Sequence, residues 1–368
     1  MKLSVIIVSY NAIPFLELTL QSLKSSLKNI SSEIILVDNR SDEPISDWIK
    51  DYHKDINFIQ NEKNLGFGKA NNIGLKNAQG EVVLFLNPDT IVSEKAINNV
   101  LHDFEIDNEL GAVGLRMING KGDFLPESKR SVPTLWSSIS RVFGLSSVFP
   151  KSKIFSSYRM GHIPEKAMTD VEVLSGACMF VRASDKSLIQ FDTDYFMYGE
   201  DIDLSYKILK SGKKVKYHGS ETIIHFKGES TNKKEWRYHY WFYKTMLIFM
   251  QKHHRRAYYT WNWIIIPFLS FLTLLSFLKS IIFTSSDSEQ SKEVDGICIH
   301  GTCTEALSGS LKNNFISIGL NDDTKSEIQV FISEQFESQE LIDFLESKDK
   351  SQKVYFWNEK LQKLFAGY

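Results

Sequence analysis

The sequence predicts an α/β fold built on a mostly parallel sheet covered on both faces, and three observations predict it. Runs of Val, Ile and Leu alternate with helix-period segments through the first hundred residues. The runs are continuously apolar, as expected of strands buried on both faces. Three of them end on polar residues, Ser9-Tyr10-Asn11, Asp38-Asn39 and Asn87-Pro88-Asp89. Ligands on such sheets bind there, outside the carboxyl ends of the strands.

In chain order, Leu3 to Val8 reads as a buried strand, because the run behind Met1-Lys2 is too short and too β-branched for a signal peptide. Helical spacing over Phe15 to Leu27 precedes a strand at Glu33 to Val37 and a helix near Ile45 to His53. A short strand, Asn57 to Gln60, leads into the Gly-rich turn Asn64 to Gly68, a helix from about Lys69 to Asn77 and a strand at Glu81 to Leu86. A helix over Glu94 to Phe104 and a strand at Ala112 to Leu115 follow. The stretch from there to Thr169 is irregular and rich in Ser, Pro, Lys and aromatics, a composition and length suited to binding loops. Val171 to Val181 has strand character, and Asp201 to Lys210 reads as a helix stopped at Gly212. Strands resume at Lys213 to His218 and Thr222 to His225, and an aromatic-rich helix spans Trp236 to Gln251.

At 368 residues and 42% apolar content the chain has material for more than one domain. The reading divides it into a catalytic-type domain over 1–255, an apolar membrane-associated segment over 256–284 and a small α/β unit over 285–368. The apolar run Trp261 to Phe283 offers about fifteen strictly non-ionic residues, or about twenty-three if Lys279 snorkels, against the roughly twenty a span needs. A shallow or hairpin insertion is expected, with Lys252 to Arg256 marking the cytoplasmic side. After the polar linker Thr284 to Glu293, the distal unit reads as Phe315 to Leu320, Ile328 to Ile332, Gln339 to Glu346 and Val354 to Trp357. It resembles part of a Rossmann-type module, one that a continuation past Tyr368 would complete, although Gly296, Gly301 and Gly309 make no glycine fingerprint. A formal charge of −2 gives no global reason to bind nucleic acid. Cys178, Cys298 and Cys303 form neither a disulfide framework nor a zinc site, so a reducing compartment is expected.

Several residues have chemistry suited to phosphate and metal. Mg²⁺ or Mn²⁺ is held by one or two carboxylates with phosphate oxygens filling other positions, so Asp89 on a rigid turn is a candidate ligand. The same tripeptide is also a plain turn. Asp38 can accept from a ribose or base, or from its own loop amides. Gly66 lies in a loop able to cradle phosphate or merely to turn, and Asn71 and Asn72 follow it, free to meet a ligand or to bond backbone. Glu200 and Asp201 open a helix after an aromatic run, as a general base or as first-turn acids. His225 ends a strand, where a neutral imidazole suits Mn²⁺, and Lys227 can meet phosphate or water.

Taken in order, Ser4 to Asn11, Leu36 to Asn39, Asn64 to Gly68, Phe85 to Asp89, Ser175 to Cys178, Glu200-Asp201 and His225 resemble the family 2 glycosyltransferases with a GT-A fold, above all their bacterial rhamnosyltransferase-like branch. The resemblance implies inverting, metal-dependent transfer of a single sugar, rhamnose among the candidates, from a dTDP- or UDP-linked donor. The acceptor would be polyprenyl-diphosphate-linked or a glycan, in surface polysaccharide synthesis at the cytoplasmic face of the bacterial inner membrane, with 261–283 as anchor. It implies a donor site of Ser9, Tyr10, Asn11, Asp38, Gly66, Asn71 and Asn87, a metal on Asp89 and His225, and Asp201 as base beside Glu200. Arg130 and Gly176 would serve the acceptor. Asn87 replaces the first acid of the family's Asp-X-Asp motif, and the Gln-X-X-Arg-Trp motif of processive synthases is missing, which favours single addition. Two other readings are a nucleotidyltransferase, which would need a Gly-rich basic loop where Tyr10-Asn11-Ala12-Ile13 stands, and a non-catalytic sugar-nucleotide-binding scaffold.

Overall fold

The computed structural model describes residues 1–42, 45–134, 136–137, 140, 144–226, 236–256, 297–302, 328–333 and 335–367, with isolated positions between 258 and 273 and between 304 and 311. Its first part is a sheet of nine strands. Strand β1 (Leu3–Ser9) pairs parallel with β2 (Ser32–Asp38) and with β4 (Val82–Leu86), and β2 pairs parallel with β3 (Asn57–Gln60). Beyond β4 come the antiparallel β10 (Cys178–Arg182), then β6 (Leu110–Ile118), then β11 (Lys214–His225) parallel to β6. Two short strands, β5 (Thr90–Val92) and β8 (Met168–Asp170), pair antiparallel with β11. The hairpin-like pair β7 (Lys129–Arg130) and β9 (Val173–Leu174) lies apart. This is the GT-A-like α/β arrangement expected, parallel in its first half and mixed around β10.

The strands are continuously apolar because each faces a core on both sides. Leu3, Val5 and Ile7 of β1 point into one core, shared with Leu16, Leu20 and Leu23 of α1 (Ile13–Ser26) and Ile97 and Val100 of α4 (Ala96–Ile106). Helix α2 (Ile45–Tyr52) closes the same face through Trp48 and Ile49. Ile6 and Val8 point the other way, toward Ala70 and Leu75 of α3 (Phe67–Asn77) and, past a one-turn helix α5 (Leu145–Val148), toward Leu204 and Ile208 of α6 (Glu200–Lys210). Helix α7 (Trp236–His253) follows.

Three readings change in the fold. Val171 to Val181 is not one strand: it breaks into β9 and β10 around Gly176, and the break frees Gly176 to meet Asp201. The two strands expected at Lys213 to His218 and Thr222 to His225 are one, bent where pairing with β6 steps from His218–Leu115 to Thr222–Arg116. Gly219 makes the bend possible, since a Cβ there would come within 2.3 Å of the Ala167 carbonyl oxygen. β5 is three residues long and follows a tight turn, too short for its pattern to register.

The distal unit holds β12 (Ile297–His300), β13 (Ile328–Ile332) and β14 (Lys353–Asn358) in parallel, with β15 (Lys363–Ala366) antiparallel on β14 and helix α8 (Ser338–Ser347). It shares a core with the first sheet. Phe331, Leu341, Leu345 and Phe356 bury against Phe15, Ile91, Ile118, Ile224 and Phe226. The Glu94 carboxylate accepts from the Ser338 and Gln339 amides at 2.7 and 3.1 Å, an anion from one unit on the helix terminus of the other. Buried Arg116 on β6 bonds Glu346 of α8. Most of 261–283 and all of 284–293, together with Gly296, Phe315 to Leu320, Lys227, Cys303 and Gly309, lie outside the described residues. Among the described residues no helix is long and apolar enough to cross a membrane. Cys178 and Cys298 are buried free thiols.

Candidate active site

The carboxyl ends of β1, β2 and β4 come together because those strands are adjacent and in register, Ser9 opposite Asp38. The Ser9 hydroxyl is buried and without a partner among the described residues. Asn11 has φ of 53°, and its amide and side chain engage Ser41 and Asp42 at 2.9 and 3.0 Å. The buried Asp38 carboxylate accepts from the Ser41 hydroxyl at 2.6 Å and the Ser41 amide at 3.2 Å, so it organises the loop after β2. Tyr10 is exposed beside them.

Asn39, named in the sequence only as part of a polar strand end, builds the neighbouring loop. Its Oδ1 accepts from Asn61 Nδ2 and the Leu65 amide, and its Nδ2 donates to Asn64 Oδ1. Asn64 Oδ1 in turn accepts from the Gly66 amide at 2.9 Å. Gly66 has φ of +82°, and a Cβ there would lie 2.5 Å from the Phe196 carbonyl oxygen, so glycine is required on both counts. The Asn71 and Asn72 amides bond backbone, at Phe67 and at Phe191 respectively.

The Asn87-Pro88-Asp89 turn is clamped from beneath. Thr19 of α1 donates to the Pro88 and Thr90 carbonyls and accepts from the Thr90 amide at 3.1 Å. Ser22 accepts from the Val92 amide one turn further on. The sequence reading missed both, although hydroxyls at 19, 22 and 26 form a helical stripe on an otherwise apolar face. Antiparallel pairing of β5 with β11 then sets His225 opposite Thr90. His225 Nε2 lies 3.4 Å from Asp89 Oδ1 and 3.2 Å from Asn87 Nδ2, with His225 and Asp89 buried and Asn87 half-buried. His225 Nδ1 has no partner among the described residues. A proton kept at Nδ1 leaves the Nε2 lone pair facing a carboxylate, the donor set that fits a cation. Among the described residues no three His, Cys, Asp or Glu side chains cluster.

Asp201, at the start of α6, is held on both oxygens. Oδ2 accepts from Arg130 Nη2 at 2.5 Å and from the Gly176 amide at 3.1 Å, and Oδ1 from the Ile202 amide at 2.8 Å. Arg130 also bonds the Leu174 carbonyl and the Tyr158 hydroxyl. Arg130 and Gly176, assigned from the resemblance to an acceptor, thus have donors on the carboxylate assigned as base. Gly176 is tight against it, since a Cβ would come 3.2 Å from that of Asp201. Glu200 is buried, and burial together with the adjacent Asp201 charge pushes its carboxyl up to about 8.

One short segment joins the two halves of the site. The Gly176 amide holds Asp201, while the next residue's carbonyl, Ala177 O, accepts from the Asn87 amide at 2.9 Å. Asp201 and the Asn87-Pro88-Asp89 turn are therefore fixed by consecutive residues of the β9–β10 connection.

Comparisons with known proteins show what the chain is similar to. Residues 4–166 match the Glycosyl transferase family 2 model. The N-acetylglucosaminyl-diphospho-decaprenol L-rhamnosyltransferase of Mycobacterium tuberculosis is 26% identical over 264 residues, 68% of this chain and 85% of that protein. Rhamnosyltransferase WbbL of Escherichia coli is 28% identical, over 60% of this chain and 82% of its own length. Among solved structures, the mannosyltransferase PcManGT of Pyrobaculum calidifontis in complex with GDP-Man and Mn²⁺ superposes with a TM-score of 0.47 at 14% identity, covering 77% of this chain and 76% of that one. Residues 4–166, which carry Ser9, Asp38, Gly66, Asp89 and Arg130, are similar to the family 2 glycosyltransferases, while Gly176, Asp201 and His225 lie beyond the matched span.

Proposed function

We propose that this hexosyltransferase inverts the anomeric centre while adding one sugar, a rhamnose-type deoxyhexose, from a dTDP- or UDP-linked donor to a polyprenyl-diphosphate-linked acceptor in cell-envelope polysaccharide synthesis. The observation that carries it is the Gly176-Ala177 connection, which locks Asp201 and the Asn87-to-Asp89 turn into one frame. The names of the two rhamnosyltransferase relatives support the sugar, and that of the first supports the acceptor. The cytoplasmic face of the inner membrane suits both substrates, with 261–283 as the proposed anchor.

In this reading the donor nucleotide lies against Ser9, Asn11 and Asp38, and its diphosphate against Asp89 and His225. Mg²⁺ or Mn²⁺ bound to that pair would supply positive charge to the leaving diphosphate. The acceptor oxygen bonds the anomeric carbon from the face opposite the diphosphate, its proton passes to Asp201, and the carbon–phosphate-oxygen bond breaks to release nucleoside diphosphate. Arg130 holds and aims Asp201, and burial beside Asp201 disfavours a second negative charge on Glu200.

The test is a thermal-shift screen of nucleotide sugars with and without Mn²⁺, followed by transfer assays on Asp201→Asn. Stabilisation by a dTDP- or UDP-sugar, retained in Asp201→Asn while transfer falls by about two to four orders of magnitude, is expected. Unchanged transfer in that variant removes Asp201 as the base. Absence of stabilisation by any nucleotide sugar removes the donor assignment.

A further inference from the structure

From Lys129 to Pro164 the chain carries six cations, Lys129, Arg130, Arg141, Lys151, Lys153 and Arg159, and no Asp or Glu, within a protein of net charge −2. The described part of this stretch also carries exposed apolar surface. Val148 is 68% exposed, Phe149 49% and Ile154 61%, with Trp136 at 47%. These are not isolated side chains. Phe155 gathers Phe149 and Trp136 around it, with ring centroids 5.4 and 6.1 Å away. Lys151 and Lys153 are exposed within the same seven-residue run, 148–154.

Large aromatic and aliphatic side chains interleaved with lysine and free of acids are the composition of a surface that enters the headgroup boundary of an anionic bilayer. An acid-free run has no means of repelling such a surface, and its lysines gain where phosphate headgroups concentrate negative charge. The run is tied to the site on one side. Ser131 donates its amide to the Tyr158 carbonyl at 2.9 Å, Lys129 donates to the Met160 carbonyl at 2.9 Å, and Arg130, between them, bonds both Tyr158 and Asp201.

We infer that Trp136 and residues 148–155 form a membrane-docking surface for an anionic phospholipid bilayer, separate from 261–283, which sets the bilayer beside Asp201. The purpose this gives the surface, delivery of a lipid-linked acceptor to the base, rests on the acceptor proposed above. The docking itself does not, and it is measured without donor or acceptor.

Hydrogen exchange of the full chain is followed with and without vesicles of phosphatidylglycerol and phosphatidylethanolamine, and with phosphatidylcholine vesicles alone. Slowed exchange over 145–156 with the anionic vesicles and weaker or no slowing with phosphatidylcholine is expected. In the same vesicles, Phe149→Ser with Ile154→Ser, and separately Lys151→Glu with Lys153→Glu, reduce association by about tenfold or more. All four side chains are exposed, so both variants keep the wild-type melting temperature. Unchanged exchange over 145–156, whether the chain binds vesicles elsewhere or not at all, overturns the inference. Equal vesicle binding by wild type and both variants overturns it as well.

Discussion

Asp201 is a carboxylate whose surroundings were assembled from four places in the chain: Arg130, Leu174 through that arginine, Gly176 and its own helix terminus. The pair with Arg130 is largely buried, with side chains 11% and 15% exposed, so removing one partner strands the other. Arg130→Ala is therefore expected to lower stability by about 3 kcal/mol or more in chemical denaturation. With Asp201 as the proposed base, it should also lower kcat more than it raises KM, because it disturbs that carboxylate rather than donor binding. Glu200 gives a prediction of opposite sense. Its carboxyl is raised in the folded protein, so its contribution is fully present below the ordinary value of 4.5 and is lost as pH rises through about 8. Between those limits wild type should lose melting temperature relative to Glu200→Gln, and parallel curves from pH 5 to 9 would refute the assignment. The polar strand ends were legible residue by residue. Arg130 on Asp201 was not, since the two are 71 positions apart and only folding brings them together.

At the scale of elements, the Asn87-Pro88-Asp89 turn is shaped less by its own residues than by helix α1 beneath it. Thr19 shares its one hydroxyl proton between the Pro88 and Thr90 carbonyls and accepts from the Thr90 amide inside a buried face. Thr19→Val keeps the volume and removes these bonds, at a cost of about 1–3 kcal/mol for the backbone groups left unpaired. It should also weaken Mn²⁺-dependent donor stabilisation in the thermal-shift assay while leaving Asp201 untouched. Equal Mn²⁺ response in the variant would separate Thr19 from the site. Periodicity placed α1, α3 and α6 and the early strands because those segments follow a single pattern throughout. It could not show that Thr19 and Ser22 face β5, because a strand of three residues has no pattern of its own to pair with. β10 lies antiparallel between β4 and β6, a placement set by the long irregular excursion before it rather than by its own residues.

At the scale of the whole molecule, the distal unit is part of the support of the site. Phe226, directly after His225, is buried between Phe15 at 5.0 Å and Phe356 of the distal unit at 5.4 Å. The turn at Gly120 and Gly122 fits against it so closely that a Cβ at Gly122 would lie 1.9 Å from the Leu345 carbonyl oxygen. A second joint is polar. Buried Glu17 of α1 receives His53 and Lys360, the latter from the distal unit, each at 2.7 Å. Burial acts to raise the Glu17 carboxyl, but the bonds from His53, Lys360 and Gln21 outweigh it and hold it at about 2. The stability this supplies, about 3 kcal/mol for a displacement from 4.5 to about 2, is present above pH 4.5 and lost as pH falls toward 2. Glu17→Gln should flatten that acid limb and, at pH 7, loosen the distal unit first, read as faster hydrogen exchange in 338–358. An acid limb unchanged by the substitution would remove this joint from the account.

By itself the sequence determined the doubly covered sheet, the order of its helices and the polar strand ends, because burial on two faces and helical spacing are local patterns carried by consecutive residues. The resemblance to the family added which of those strand ends are expected to carry chemistry. Tertiary structure alone decided that Arg130 and Gly176 meet Asp201, that Thr19 holds the Asn87-Pro88-Asp89 turn, and that Phe356 and Lys360 reach across to α1 and β11. Each of those contacts joins positions far apart in the chain, and its energy exists only once the sheet has fixed the distance between them.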